Sequence, residues 1–114
     1  MRVAFSIWKD RVSPLFDSAA HLLLVEPNSR GLQEKSLVNV DSLSMLQRIQ
    51  MLKKWNLDLF VCGGITPSVL KAVRNQSIET VPFMCGRVDD LIQALERGED
   101  LRAMFSMPGY KEEA

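Results

Sequence analysis

Five short apolar, β-prone runs punctuate the chain, at residues 3–7, 21–26, 32–40, 57–61 and 78–84. Each is bounded by polar or turn-forming residues, the pattern of strands in a globular sheet. The second run is almost entirely apolar, as a strand buried on both faces would be. Between it and the third lies Pro27-Asn28-Ser29-Arg30-Gly31, dense in turn-forming residues, which predicts a hairpin. A helical period then takes over. Leu43, Leu46, Ile49 and Leu52 recur at three-residue spacing as far as Trp55, with Asp41 or Ser42 placed to cap the helix start.

Thr66-Pro67 opens a second helix, running to about Asn75 with Val69, Leu70 and Val73 facing inward. Residues 88–97 form a third, with Asp89 and Asp90 at its positive end and Gly98 just past its close. Pro82 removes one ladder donor, which puts the fifth strand at a sheet edge. The tail after Asp100 is expected to pack loosely and fray. The order β, β, β, α, β, α, β, α, with right-handed crossovers, puts the first strand at the centre. The expected fold is α/β and ribonuclease-H-like: a five-stranded mixed sheet in the order 3-2-1-4-5, strand 2 antiparallel, helices on both faces.

The 114 residues suit one domain spanning residues 1–114, with no internal repeat and no linker. Fourteen Lys and Arg balance fourteen Asp and Glu. That balance argues against a nucleic-acid binder, which depends on a cationic excess. No stretch approaches a membrane span, and the apolar start breaks off at Trp8-Lys9-Asp10-Arg11, unlike an export signal. A cytoplasmic setting is therefore expected, in which Cys62 and Cys85 stay reduced.

In an open α/β sheet, ligands bind beyond the carboxyl ends of strands where the connections diverge. The first strand ends in Ser6-Ile7-Trp8, the fourth in Cys62-Gly63-Gly64-Ile65-Thr66-Pro67, and the fifth in Met84-Cys85-Gly86-Arg87. The two Cys-Gly pairs thus fall at equivalent places. Gly63 and Gly64 permit positive φ and a close ligand. The helix after them offers free N–H groups to an anion. Cys62 and Cys85 add soft sulfur. In the loop Arg11-Val12-Ser13-Pro14-Leu15-Phe16-Asp17, Arg11 and Ser13 are placed to donate to an anion, while Asp17 caps or braces the loop. The plainer alternative is that the glycines only make tight turns and the cysteines are small buried hydrophobes. His21 reads as a core histidine and the six methionines as core filler.

Enzymatic readings fail on missing parts. A Cys-x5-Arg phosphatase loop would need Arg where Ser68 stands, and no phosphate-binding Gly-x4-Gly-Lys-Ser/Thr loop occurs. Three Cys and His residues in total cannot build the usual four-ligand zinc site. The central strands lack the carboxylate cluster of a ribonuclease-H nuclease.

The segments Arg11-Val12-Ser13-Pro14-Leu15-Phe16-Asp17, Cys62-Gly63-Gly64-Ile65, Cys85-Gly86 and Met107-Pro108-Gly109 together resemble the dinitrogenase iron–molybdenum cofactor biosynthesis family, NifX and the C-terminal domain of NifB among it. The likeness spans nearly the whole chain, and the first segment is its most specific part. It implies a ribonuclease-H-like domain that is not an enzyme. Such a domain binds or carries an iron–sulfur or molybdenum–iron–sulfur cluster, or a precursor, and meets cluster donor or acceptor proteins. The implied site is Arg11, Ser13, Cys62, Gly63, Gly64, Cys85 and Gly86, with Cys62 and Cys85 as metal ligands. Many members carry a Cys after the late Met-Pro-Gly, where this chain has Tyr110. The alternative is a regulatory or partner-binding module that kept the fold without the metal.

Overall fold

The computed structural model describes residues 1–31 and 33–109. Leu32, the expected first residue of the third strand, and Tyr110 with the end of the tail lie outside the described residues. Among the described residues the sheet is mixed and has six strands, not five. They are β1 (Val3–Trp8), β2 (Arg11–Val12), β3 (His21–Pro27), β4 (Gln33–Asn39), β5 (Leu59–Val61) and β6 (Thr80–Val81). Counted this way the order is β4-β3-β1-β5-β6, with β2 paired to β1 alone. The added strand β2 folds back antiparallel on the end of β1, Trp8 opposite Arg11. A two-residue turn makes this possible, with Lys9 at φ 56°. Two residues are too few to show an alternating pattern, so nothing in the periodicity announces β2.

β3 runs antiparallel to β1 and to β4, whereas β5 runs parallel to β1 and β6 parallel to β5. The β3–β4 hairpin closes through Asn28, whose carbonyl accepts from the Gly31 amide and whose Oδ1 accepts from the Arg30 amide. β6 is shorter than the apolar run that suggested it. Pro82 donates no ladder bond, and Phe83 turns the chain away at φ 63°.

Helices α1 (Met45–Lys54) and α2 (Pro67–Arg74) cover one face, and α3 (Val88–Glu96) and α4 (Leu101–Phe105) the other. Strand alternation sorts the side chains. Val3, Phe5, Val61 and Val81 pack beneath α3 and α4, while Ala4, Leu22, Phe60 and Cys62 pack with α1 and α2. Three local expectations change. α1 starts later than Asp41 or Ser42, because Ser44 forms a reciprocal capping box with Gln47: Ser44 Oγ accepts from the Gln47 amide and Gln47 Oε1 from the Ser44 amide. Leu46 points to solvent at 65% exposure, and Arg48 is buried in its stead. The tail does not fray over 101–105; α4 forms there, with Asp100 as its cap and Leu101 buried.

Candidate functional site

The loop from Arg11 to Asp17 is stitched across the carboxyl ends of β1 and β5. The Val12 amide donates to Gly86 O at 3.0 Å, and the Ser13 amide to Ser6 O at 2.8 Å. The Gly64 amide donates to Pro14 O, and the Phe16 amide returns to Gly64 O, both at 2.8 Å. Phe16 then plunges into the core and meets the Phe60 ring edge-on at 5.1 Å. From below, buried Arg48 donates to Ala19 O at 2.6 Å and to Phe16 O at 3.3 Å.

These bonds correct the role expected of Gly63 and Gly64. Neither has positive φ. A Cβ on Gly63 would lie 2.1 Å from Ser13 O, and one on Gly64 2.9 Å from Pro14 O. The glycines make room for the chain's own loop, and the Gly64 amide is already used. The start of α2 is occupied as well. Asp17 accepts from the Thr66 amide at 3.1 Å and from the Thr66 hydroxyl at 2.5 Å, so the loop's own carboxylate sits where an anion was expected. At α3 the Val88 amide donates to Asp10 O, and Asp89 and Asp90 fill the first turn.

Cys62 and Cys85 do not converge. Phe60, Val61 and Cys62 alternate across the sheet, so Cys62 points with Phe60 into the core beneath α1 and α2, fully buried. Cys85 follows the bend at Phe83 and lies on the opposite side, half-buried, its Sγ 3.8 Å from Ser106 O. Neither is in a disulfide. Ser13 is also buried, with its hydroxyl donating to Leu15 O.

The structure does bring Arg11, Cys85 and Gly86 together. They line a cavity of about 190 Å³ with Trp8, Met84 and Met107. Gly86 holds φ 120°, so the glycine that needs its freedom is this one. Its amide has no acceptor among the described residues. Arg11 is the cation in its lining, and two more stand close in the chain. Lys9 lies over the Trp8 ring at 4.6 Å, Arg11 is exposed, and Arg87 is only loosely held by Asp10 at 3.6 Å. Three sulfur-bearing residues, Met84, Cys85 and Met107, therefore line one hollow with Arg11, and Lys9 and Arg87 stand near them in the chain. Met84 and Met107, read as filler from the sequence, are the members that were missed; their signal was adjacency to Cys85 and to the Pro108-Gly109 turn. His21 and Ser13 instead border a separate hollow of about 320 Å³ on the far side of Trp8 and Pro14.

Among the described residues no three His, Cys, Asp or Glu side chains converge as a cage for a bare metal ion. The cavity offers one thiol, two thioethers, an arginine and a free amide. That set suits a soft, anionic guest that brings its own sulfur.

Solved structures share the architecture over nearly their full length. A protein from Methanocaldococcus jannaschii provisionally named a dinitrogenase superposes with a TM-score of 0.68 at 21% identity, over 97% of each chain. The apo form of the orange protein from Desulfovibrio gigas gives 0.67 at 20%, over 98% of this chain and 96% of that one. A Thermotoga protein provisionally named NifB, of the DUF35 family, gives 0.63 at 20%, over 95% and 98%. The chain has the fold of these proteins. Dinitrogenase and NifB are also the names to which its motifs point. No protein-family model and no curated protein matches it. No helix among the described residues is long and apolar enough to cross a membrane.

Proposed function

We propose that this chain is a non-catalytic binder or carrier of a compact iron–sulfur or molybdenum–iron–sulfur cluster, or of its precursor, held in the Trp8–Arg11–Cys85–Met107 cavity. One observation carries the reading: the cavity joins the sulfur-bearing residues Met84, Cys85 and Met107 to Arg11 and to the Gly86 amide, which has no acceptor among the described residues. A preassembled cluster carries its own bridging sulfide and net negative charge, so it needs few protein donors. Cys85 supplies a thiolate, Arg11 a charged hydrogen bond, and Gly86 a backbone donor. The fold shared with the named proteins supports the same reading. Donor and acceptor proteins for the cluster are the implied partners, in a reducing cytoplasm.

The test is anaerobic reconstitution of the pure chain with ferrous iron, sulfide and molybdate, followed by desalting and metal analysis. The parent should retain metal and sulfide together, and Arg11→Glu and Cys85→Ser should each retain much less while melting as the parent does. A parent that retains neither sinks the reading.

A metal-free regulatory or partner-binding module is favoured by a different observation. The start of α2 is occupied by Asp17, the first turn of α3 carries two carboxylates of its own, Asp89 and Asp90, and Cys62 is committed to the core.

A further inference from the structure

The two edges of the sheet are built differently. β6 is two residues long, and Pro82 follows it. The segment after α4 then covers the backbone beyond, with the Cys85 amide donating to Phe105 O and the Met107 amide to Phe83 O. β4 has none of these guards. It runs for seven residues without proline, and its pairing with β3 is unbroken from Gln33 to Asn39. Among the described residues no strand lies beyond it. Proteins ordinarily blunt such an edge with proline, a bulge or a charged side chain laid along it. The one lysine of β4, Lys35, is drawn to Asp89 of α3 at 3.1 Å.

One bond settles which backbone groups stand free. The Val40 amide donates to Ala20 O, in register with the β3–β4 ladder. Antiparallel ladders alternate, so Val38, Ser36 and Glu34 also turn their amides and carbonyls toward β3. Gln33, Lys35, Leu37 and Asn39 turn theirs outward. Leu37 stands opposite Leu23, on the α3 side of the sheet, and is 62% exposed.

A second copy of the strand fits this edge. Two outward rows can pair antiparallel about a two-fold axis. With the axis at Lys35 the lysine meets itself, and with the axis at Ser36 it lies diagonal to its copy, so both registers oppose like charges. With the axis at Leu37 the exposed leucines meet, and Lys35 faces Asn39 of the second copy. Each of these pairs exchanges two backbone hydrogen bonds. The formal net charge of the chain is zero, so no overall repulsion opposes association.

We propose that β4 is a dimer edge, joined antiparallel to β4 of a second copy about Leu37. The sheet then runs on across the two-fold axis. The Trp8–Arg11–Cys85–Met107 cavity lies on the other side of β3, so the dimer stands apart from the functional reading.

Sedimentation of the full chain over a concentration series tests the proposal. The average mass should climb toward twice that of the monomer as concentration approaches about 1 mM. A chain that stays monomeric there overturns it. Leu37→Lys sets like charges at the axis and should weaken association about tenfold, while the dilute monomer melts as the parent does. Unweakened association overturns the edge. Asn39→Asp keeps the Oδ1 that accepts from the Asp41 amide and adds a charge opposite Lys35. It should tighten the dimer about threefold, and no tightening overturns the register about Leu37. Hydrogen exchange reads the edge directly. As concentration rises, the Lys35, Leu37 and Asn39 amides should gain protection, and the Ser36 and Val38 amides, already turned to β3, should not change. Protection of the outward amides at monomer mass would assign the edge to another strand and overturn the second copy.

Discussion

Asp17 and Thr66 are joined through two hydrogen bonds from one carboxylate, at 3.1 Å to the amide and 2.5 Å to the hydroxyl, across 49 residues of sequence. The loop that begins at Arg11 is thereby fastened to the first turn of α2. Thr66 does not cap its own helix through its side chain; the cap comes from the loop.

Replacing Asp17 by Ala should therefore act as a cap deletion. The expected loss is about 1 kcal/mol, read as a lower urea midpoint at unchanged slope. Asp17→Asn should recover part of it, since its side-chain oxygen still accepts from the Thr66 amide.

Gly63→Ala should be far more damaging than Gly64→Ala. The first new Cβ meets Ser13 O at 2.1 Å and the second meets Pro14 O at 2.9 Å, and both obstacles are backbone. Overpacking of this kind costs roughly 1–3 kcal/mol or more. Thermal melts of the two variants should rank them in that order; equal melting temperatures would refute the close-approach role.

The two cysteines should part company under substitution. Cys62→Ser puts a hydroxyl into an apolar layer and should cost about 1–3 kcal/mol, with metal retention per folded molecule preserved. Cys85→Ser should barely move the melting temperature and should lower metal retention. The reverse assignment would move the site to the other face of the sheet.

Ser6 Oγ is fully buried and lacks a hydrogen-bond partner among the described residues. Ser6→Ala keeps the backbone carbonyl that receives the Ser13 amide and removes the orphan hydroxyl. Stability should stay level or rise by up to about 1 kcal/mol, measured by urea unfolding.

The sequence was most informative where a local signal met a local structure. The turn around Asn28, Thr66-Pro67 at the start of α2 and Gly98 after α3 all form where the residues predict. The Ser44-x-x-Gln47 capping box was also present to be read, but Asp41 and Ser42 competed for the same role. β2 and α4 escaped because two and five residues carry no usable period. At the site, Gly63 and Gly64 show the limit most clearly. A glycine pair signals that something lies close to the backbone, and sequence alone does not say whether that is a ligand or the chain's own carbonyls. Strand alternation could have separated Cys62 from Cys85, since Cys62 continues the inward face set by Phe60.

The cavity wall is drawn from residues 8 and 107 as well as from the middle of the chain. During synthesis the aromatic wall therefore emerges early and the thioether that completes the hollow emerges late, well after the sheet's first strands have left the ribosome. A nascent chain therefore has no finished hollow, and a cut in the exposed stretch after α3 would separate Met107 from the sheet together with Leu101, a member of the core. The hollow is in this way a property of the whole fold, closed only once residue 107 has joined residue 8.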